Sequence, residues 1–414
     1  MSKLIPVRGT RDIWGEDAER QAHVSATFEA VARRYGFDPI STPIFEFTEI
    51  FKRTLGETSD VVSKEMYTFE DRGGDQLTLR PEYTAGIARA FMSEGMKQFG
   101  TCKFFAHGPM FRYERPQKGR YRQFHQLDAE IIGEAGPGAD LDIIALGYHT
   151  LEALGVTDKT VLNLNSLGDP ESRANYRTAL VDYFQGHKDK LSEDSRTRLD
   201  RNPLRILDSK DEGDRTLIKD APRIGDYYTS EAADFFSSVK SGLTEMGITF
   251  EENPALVRGL DYYCHTAFEF ITNDLGAQGT VIGGGRYDGL MEQLGGSPTP
   301  GVGWAGGIER LAMLLDAPPE IPRPIAIVPI GEEAASLARK LTFDLRGKGH
   351  VVECAYGGNV KKRLTRANKR NAAKALLIGD DELAQQAVML RNLDSGEQEL
   401  VRLDDLEQKL ADQA

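Results

Sequence analysis

Between Phe111 and Phe124 the chain reads Phe-Arg-Tyr-Glu-Arg-Pro-Gln-Lys-Gly-Arg-Tyr-Arg-Gln-Phe, so Arg112, Arg115, Lys118, Arg120 and Arg122 surround one Pro/Gly turn. Alternation at period two predicts a hairpin with Phe111, Tyr113 and Phe124 on packing faces and with Arg112 and Arg122 turned into a cleft. Arginine suits polyphosphate or carboxylate there, because its planar fork donates two hydrogen bonds and keeps its charge. Taken alone, the run is equally a solvated basic hairpin. The segment after it carries Gln126, Asp128 and Glu130, and three more polar clusters stand in β-like or apolar surroundings. These are Thr78-Leu79-Arg80-Pro81-Glu82-Tyr83-Thr84, Arg258-Gly259-Leu260-Asp261-Tyr262-Tyr263 and Gly307-Ile308-Glu309-Arg310. Charge in such places is costly unless it is paired or functional, and any one cluster could be a structural ion pair. Together, several arginines, a few carboxylates and no candidate serine, cysteine or metal nucleophile suit a reaction driven by positioning and charge neutralisation. Attack of a carboxylate on a nucleotide α-phosphate is such a reaction.

The elements that must position these groups are legible from periodicity. Residues 16–35 place Val24, Phe28, Val31 and Tyr35 at helical spacing and run into Gly36, which predicts a helix of about five turns. Residues 37–47 are β-rich, and Pro39 and Pro43 confine them to a sheet edge or an interface. Strands are predicted at 66–69, 76–79, 103–112 and 124–133, joined by short turns, so the sheet is mixed or mainly antiparallel. From 169 to 249 helical periodicity replaces alternation and predicts a helical insertion, with a loop at 208–213. Strand character returns at 257–271; Thr280-Val281-Ile282 then runs into a glycine-rich stretch at 283–289, and a second glycine cluster opens a helix at 308–315. Gly301-Val302-Gly303-Trp304-Ala305-Gly306 matches the dinucleotide fingerprint, but Gly295-Gly296-Ser297-Pro298-Thr299-Pro300 precedes it where an apolar strand is required. A nicotinamide or flavin cofactor is therefore not expected. Ala317-Pro318-Pro319-Glu320-Ile321-Pro322-Arg323-Pro324 is a linker, and the alternating strands and helices beyond it predict a small α/β domain.

Length and composition bound the rest. A chain of 414 residues suggests two or three domains, and 40% hydrophobic with 28% charged residues is ordinary globular composition. No apolar run approaches the roughly 20 residues that span a bilayer, and residues 1–17 lack the apolar core of a secretory signal. Cys102, Cys264 and Cys354 are too few and too far apart for a disulfide framework or a thiolate zinc site, so a cytoplasmic, reducing setting is expected. The seven histidines show no ligand spacing, so no metal held mainly by protein is expected. A net charge of −13 argues against a nonspecific nucleic-acid coat. Lys361, Lys362, Arg363, Arg366, Lys369 and Arg370 nevertheless crowd together with no acid among them, as either a phosphate-contacting or a merely solvated helix face.

Arg80-Pro81-Glu82, Arg115-Pro116-Gln117-Lys118-Gly119-Arg120-Tyr121 and Leu256-Val257-Arg258-Gly259-Leu260-Asp261-Tyr262-Tyr263 closely resemble motifs of the bacterial histidyl-tRNA synthetases, a class II aminoacyl-tRNA synthetase family. The resemblance covers nearly the whole chain; the run around Pro43, residues 108–130 and residues 301–315 look like class motifs 1, 2 and 3. It implies an α/β (α+β) fold: an antiparallel sheet core flanked by helices in a catalytic domain at 1–168 and 250–320, a helical insertion at 169–249, and an anticodon-binding α/β domain at 323–414. It also implies activation of L-histidine with ATP to the adenylate, then transfer to the 3′ end of the histidine tRNA. By similarity, Glu82, Thr84 and Gln126 would receive the α-ammonium of histidine and neighbouring groups. Glu130 and Tyr263 would pair the two imidazole nitrogens, with Tyr262 and Tyr287 walling the pocket. Arg112 would bridge the histidine carboxylate and the α-phosphate, Arg258 would neutralise charge at the α-phosphate where related enzymes place a metal, and Arg310 would take the γ-phosphate end. Arg120 and Glu114 join Arg112 and Arg310 in the implied ATP site, and Mg2+ would bridge the outer phosphates, held mainly by phosphate and water. Arg115, Gln117 and Lys118 look like contacts to the tRNA acceptor end, and Lys361, Lys362 and Arg366 belong to the implied anticodon-side surface. Motif 1 implies a homodimer, and nothing implies a membrane.

Two departures stand out: Tyr83 where many relatives carry glycine, either narrowing the pocket entrance or merely packing, and Cys264-His265 after Tyr263, where asparagine and arginine are frequent. The rival reading is a non-catalytic, histidine-sensing regulatory subunit of ATP phosphoribosyltransferase. Such relatives lack the tRNA-reading domain and lose much of the arginine pattern, whereas both are present in this chain.

Overall fold

The stripe Val24, Phe28 and Val31 folds as helix α1 (Glu16–Arg34), which runs out into Gly36, held at φ 75° where a side chain would be strained. The structure, a computed structural model, describes residues 4–56, 59, 61–117, 119–207, 209–256, 262–276 and 279–411. It divides into two units, Met1–Pro319 and Glu320–Ala414. In the first unit α1 is followed by β1 (Asp38–Pro39), β2 (Phe45–Phe47), α2 (Thr48–Leu55), β3 (Tyr67–Glu70), β4 (Gln76–Leu79) and α3 (Thr84–Ser93). Next come the long hairpin β5 (Cys102–Phe111) and β6 (Gln123–Ile132), then α4 (Pro137–Ala153) and β7 (Val161–Ser166). Four helices follow: α5 (Pro170–Gln185), α6 (Glu193–Arg201), α7 (Glu212–Ile218) and α8 (Ser230–Glu245). The unit closes with β8 (Glu251–Glu252), β9 (Cys264–Ile271), β10 (Thr280–Arg286), α9 (Leu290–Gln293), β11 (Gly301–Gly307) and α10 (Ile308–Leu314).

Eight strands form one sheet in the order β1-β5-β6-β11-β10-β9-β7-β8, antiparallel except at its two outer pairs. A separate antiparallel sheet has the order β2-β4-β3. Alternation divides the large sheet into two faces. Leu127, Ala129 and Ile131 of β6, Val302 and Trp304 of β11, and Phe268 and Phe270 of β9 join residues of α1, α4, α8 and α10 in the main core. On β6 the opposite face carries Gln126, Asp128 and Glu130, and a second core built from α2, α3 and α9 lies on that side. Helices α5 to α7 keep a small core of their own around Tyr176, Leu180, Phe184 and Ile206. Helix α8 instead sends Phe236, Val239 and Leu243 into the main core.

Both glycine clusters, expected to follow a strand and to open a helix, are themselves strands, β10 and β11, with Gly285 beside Gly303 and Gly283 beside Ala305. Close approach explains them: a Cβ on Gly303 would collide with the Glu130 carboxylate, and one on Gly301 with the Tyr287 ring. The strand expected from residue 257 begins only at Cys264, and residues 257–261 lie outside the described residues.

In the second unit come β12 (Ile325–Pro329), α11 (Glu333–Gly347), β13 (Val352–Cys354), α12 (Val360–Lys369), β14 (Lys374–Ile378), α13 (Asp380–Ala384), β15 (Ala387–Asn392), β16 (Gln398–Arg402) and α14 (Leu406–Ala411). Their sheet order is β13-β12-β14-β15-β16, parallel over the first three strands and antiparallel over the rest. Helix α12 starts where the Asn359 side chain accepts from the Lys362 N–H at 3.0 Å. Among the described residues no helix is long and apolar enough to cross a membrane.

Candidate functional site

A cavity of about 310 Å³ opens over the polar face of the large sheet. Its floor is made of small residues, Gly283, Ala305 and Gly307, which leave room between the longer side chains around them. Glu82, Thr84, Arg112, Glu114, Arg120, Gln126, Tyr262, Tyr263 and Arg310 all line it. Nine residues singled out from four separate stretches of sequence are thus brought to one place.

Each is held by identifiable local structure. Glu82 stands just before α3 and accepts the backbone N–H groups of Thr84 at 2.9 Å and Ala85 at 2.8 Å, the position where a helix favours negative charge. Burial nevertheless raises the pKa of its carboxyl. Arg112 donates from Nε to the Pro81 carbonyl at 2.9 Å and lies over the Phe124 ring at 5.3 Å. Arg120 pairs with Glu114. Arg310, in the first turn of α10, donates to the Thr280 carbonyl at 2.7 Å and the Gly119 carbonyl at 3.3 Å. Burial, with repulsion from Arg120 and Arg112, pushes its pKa below the usual arginine value. Three guanidinium groups gathered on one cavity make a strong anion site. Helix α10 is fixed to β6 by Glu309, which accepts the His125 backbone N–H at 3.0 Å and contacts His125 Nδ1 at 2.8 Å.

Glu130 lies on the same face of β6 as Gln126, 1% exposed and outside the cavity lining. The Thr84 hydroxyl donates to one of its oxygens at 2.6 Å and the Tyr287 hydroxyl to the other at 2.5 Å. Burial raises the Glu130 pKa to about 8, against the lowering effect of these two donors. Tyr287 therefore acts through Glu130 and does not line the cavity. It is aimed by its neighbour Arg286, which is fully buried, pairs with Asp140, and donates to the carbonyls of Glu134 at 2.9 Å and Gly136 at 3.1 Å. The rings of Tyr262 and Tyr263 pack against each other at a tilt of 42°, with centroids 4.6 Å apart.

Other expectations need correction or relocation. Tyr83 does not line the cavity: it is 2% exposed, and its hydroxyl accepts from Arg80 Nη2 at 3.0 Å. Of the two readings left open for Tyr83, packing is the one observed. Arg122 does not turn into the cleft but stacks over the Tyr113 ring at 3.7 Å. Arg115 and Gln117 are exposed on the turn outside the cavity, and Gln117 exchanges backbone hydrogen bonds with Arg120. Arg258 and Lys118 lie outside the described residues. Lys361, Lys362 and Arg366 are exposed on α12 of the second unit. Sequence reasoning missed Tyr121, Thr280 and Glu269 as lining residues. An acid between Phe268 and Phe270 on an alternating strand was the signal for Glu269.

Among the described residues no cluster of three or more His, Cys, Asp or Glu side chains is arranged to hold a metal ion. Carboxylates do reach the cavity, including Glu114 and Glu269, and this donor set fits a hard cation that keeps water and takes most of its ligands from phosphate.

Comparison with known proteins places the whole chain. The family model for histidyl-tRNA synthetase matches residues 9–311, and that for an anticodon binding domain matches residues 324–413. The chain is 59% identical to the histidine–tRNA ligase of Gluconacetobacter diazotrophicus, over 98% of this chain and 97% of that one. It is 58% identical to the histidine–tRNA ligase of Rhodospirillum rubrum, over 99% of both. Among solved structures, apo S. aureus histidyl-tRNA synthetase superposes with a TM-score of 0.83 at 34% identity, over 98% of this chain and 99% of that one. The match runs through the sheet, its cavity and the second unit over nearly the whole chain: the chain belongs to the histidyl-tRNA synthetase family.

Proposed function

We propose that this cavity activates L-histidine with ATP and loads it onto the histidine tRNA, with the second unit reading the anticodon. The chain is an aminoacyl-tRNA ligase of the histidine type, and ATP is its substrate. The observation that carries the residue assignment is the convergence of Arg112, Arg120 and Arg310 on one cavity that Glu82, Thr84 and Gln126 also line.

In the first step the histidine carboxylate attacks the ATP α-phosphorus and pyrophosphate leaves. Arg112 would hold the attacking carboxylate against the α-phosphate, Arg258 would neutralise the charge that builds there, and Arg310, with Arg120 and Glu114, would hold the outer phosphates. Glu82, Thr84 and Gln126 would take the α-ammonium. Glu130, held by the Tyr287 hydroxyl, and Tyr263 would pair the two imidazole nitrogens beside the Tyr262 ring. The Thr84 and Tyr287 hydroxyls each occupy one oxygen of Glu130, and a carboxyl oxygen can still accept a further N–H. A site that pairs both nitrogens rejects side chains lacking them by about 10⁴ to 10⁵. Mg2+, when bound, would neutralise phosphate charge, with Glu114 and Glu269 as the carboxylates in reach.

In the second step the terminal ribose hydroxyl of the tRNA attacks the adenylate carbonyl and AMP leaves. Arg115, Gln117 and Lys118 would meet the acceptor end, α5 to α7 would brace its stem, and Lys361, Lys362 and Arg366 would hold the anticodon-side backbone while single-stranded bases are read. A homodimer through the small β2-β4-β3 sheet is supported by Phe45, Phe47 and Phe69, which are 52%, 56% and 43% exposed. A cytoplasmic location follows from the part this activity plays in translation.

The regulatory-subunit reading is not favoured, because the ligases match over the full chain, including the second unit. Histidine-driven exchange of pyrophosphate into ATP tests the difference: a synthetase supports it, and a sensor binds histidine without it.

A further inference from the structure

The cross-strand row through Asp128 runs Ala106, Asp128, Ala305, Gly283 and Glu269 from β5 to β9, and its last three members line the cavity. Asp128 shares its face of β6 with Gln126, also a lining residue. It is fully buried, and no donor among the described residues reaches either of its carboxyl oxygens. The Gln126 side-chain oxygen is in the same condition. Glu130 faces Asp128 from its own strand, Arg80, Glu82 and Tyr83 from the segment between β4 and α3, and Tyr287 from the end of β10. Arg80 spends its donors elsewhere, on the carbonyls of Pro109 at 3.0 Å and Thr42 at 2.9 Å and on the Tyr83 hydroxyl at 3.0 Å.

Buried acceptors without donors are costly, and here they adjoin a substrate cavity. The group that answers them is a compact cation rich in N–H donors. We propose that Asp128, together with Gln126, receives the α-ammonium of the amino-acid substrate and is a specificity-determining contact for it. This rests on the histidine reading above and adds a residue that the reading did not use. Burial and the neighbouring Glu130 and Glu82 raise the Asp128 carboxyl well above the usual range. A bound ammonium opposes that rise and favours the ionised carboxylate, so its binding is linked to proton release.

Calorimetric titration of the full chain at pH 7, in buffers of different ionisation enthalpy, tests this with three ligands. Histidine and histidinol carry the ammonium; 3-(imidazol-4-yl)propionate lacks it. The wild-type protein should release more protons on binding the first two than on binding the third. Asp128→Asn should weaken histidine and histidinol about tenfold or more, remove that release, and leave the third ligand within about twofold. Unchanged histidine affinity in the variant overturns the assignment, as does equal weakening of all three ligands, which would mean that Asp128 only shapes the pocket. If the variant does not fold, the wild-type measurement decides, and histidine binding without proton release overturns the proposal. Failure of the wild type to bind histidine at all overturns the histidine reading itself, an outcome distinct from unchanged binding in the variant.

Discussion

Asp128 and Glu130 on β6 are 0% and 1% exposed, whereas Lys361, Lys362 and Arg366 on α12 stand in solvent. The first set is buried and mutually coupled, and each member is fixed by its strand register, so moving one carboxyl alters the state of its neighbours. The second set is exposed and additive, and salt screens it. This contrast suits a division of labour in which a small metabolite is discriminated in the sheet and a large polyanion is held at a solvated helix face.

The comparison breaks most visibly in the adenylation step. Arg258→Ala should lower adenylate formation by about 10² to 10³, as loss of one preorganised charge-stabilising donor does, and near-normal single-turnover adenylation would end that assignment. On α12, replacing Lys361, Lys362 and Arg366 together by alanine should weaken tRNA charging about tenfold at moderate salt and flatten its salt dependence by about two log units per log unit of salt. Pyrophosphate exchange should not change, and an equal fall in both activities would erase the division. Ending the chain before Arg323 sharpens the same test: exchange survives and charging falls, whereas unchanged charging would remove the anticodon role.

The smallest expected effect lies in the pH dependence of stability. Glu130 has a folded pKa of about 8 against an ordinary 4.5, so between those values the folded state holds a proton that the unfolded chain has lost. Its contribution is therefore fully present below about pH 4.5, declines as pH rises towards about 8, and is flat above that. Glu130→Gln should lessen the fall in melting temperature across that window, leaving the share due to Glu82 and Asp128, whose carboxyls are shifted in the same direction. An unaltered profile would show that Glu130 is ionised in the native protein. The exposed cations of α12 should leave the profile unchanged when removed.

Much of this was legible in the sequence where side-chain period and chemistry agree. The alternation that predicted the 111–124 hairpin and its neighbours gives β5 and β6, and the apolar stripe of residues 16–35 gives α1. Glu82, Arg112, Gln126 and Arg310 sit hundreds of residues apart in part, yet each stands in a run whose residue types already imply anion or ammonium binding. The glycine clusters misled because glycine signals turns more often than close-packed strands, and only the neighbouring Glu130 and Tyr287 reveal why bulk is excluded there. Tyr83 and Arg122 were ambiguous for another reason. Period fixes the face on which a side chain stands, but the partners, Arg80 for one and the Tyr113 ring for the other, are set by tertiary packing. Helix α8 lies within the stretch 169–249 read as the insertion and shares its helical character, so only its burial against the main sheet distinguishes it.

The central claim is that the sheet's cavity selects histidine and the whole chain selects its tRNA. Pyrophosphate exchange with each amino acid in turn, repeated as charging with purified tRNAs, tests it most directly. Exchange with histidine alone, followed by charging of the histidine tRNA alone, is the predicted result. Folded protein that binds histidine but supports no exchange would contradict the account and turn the arginine cluster into a binding site without chemistry.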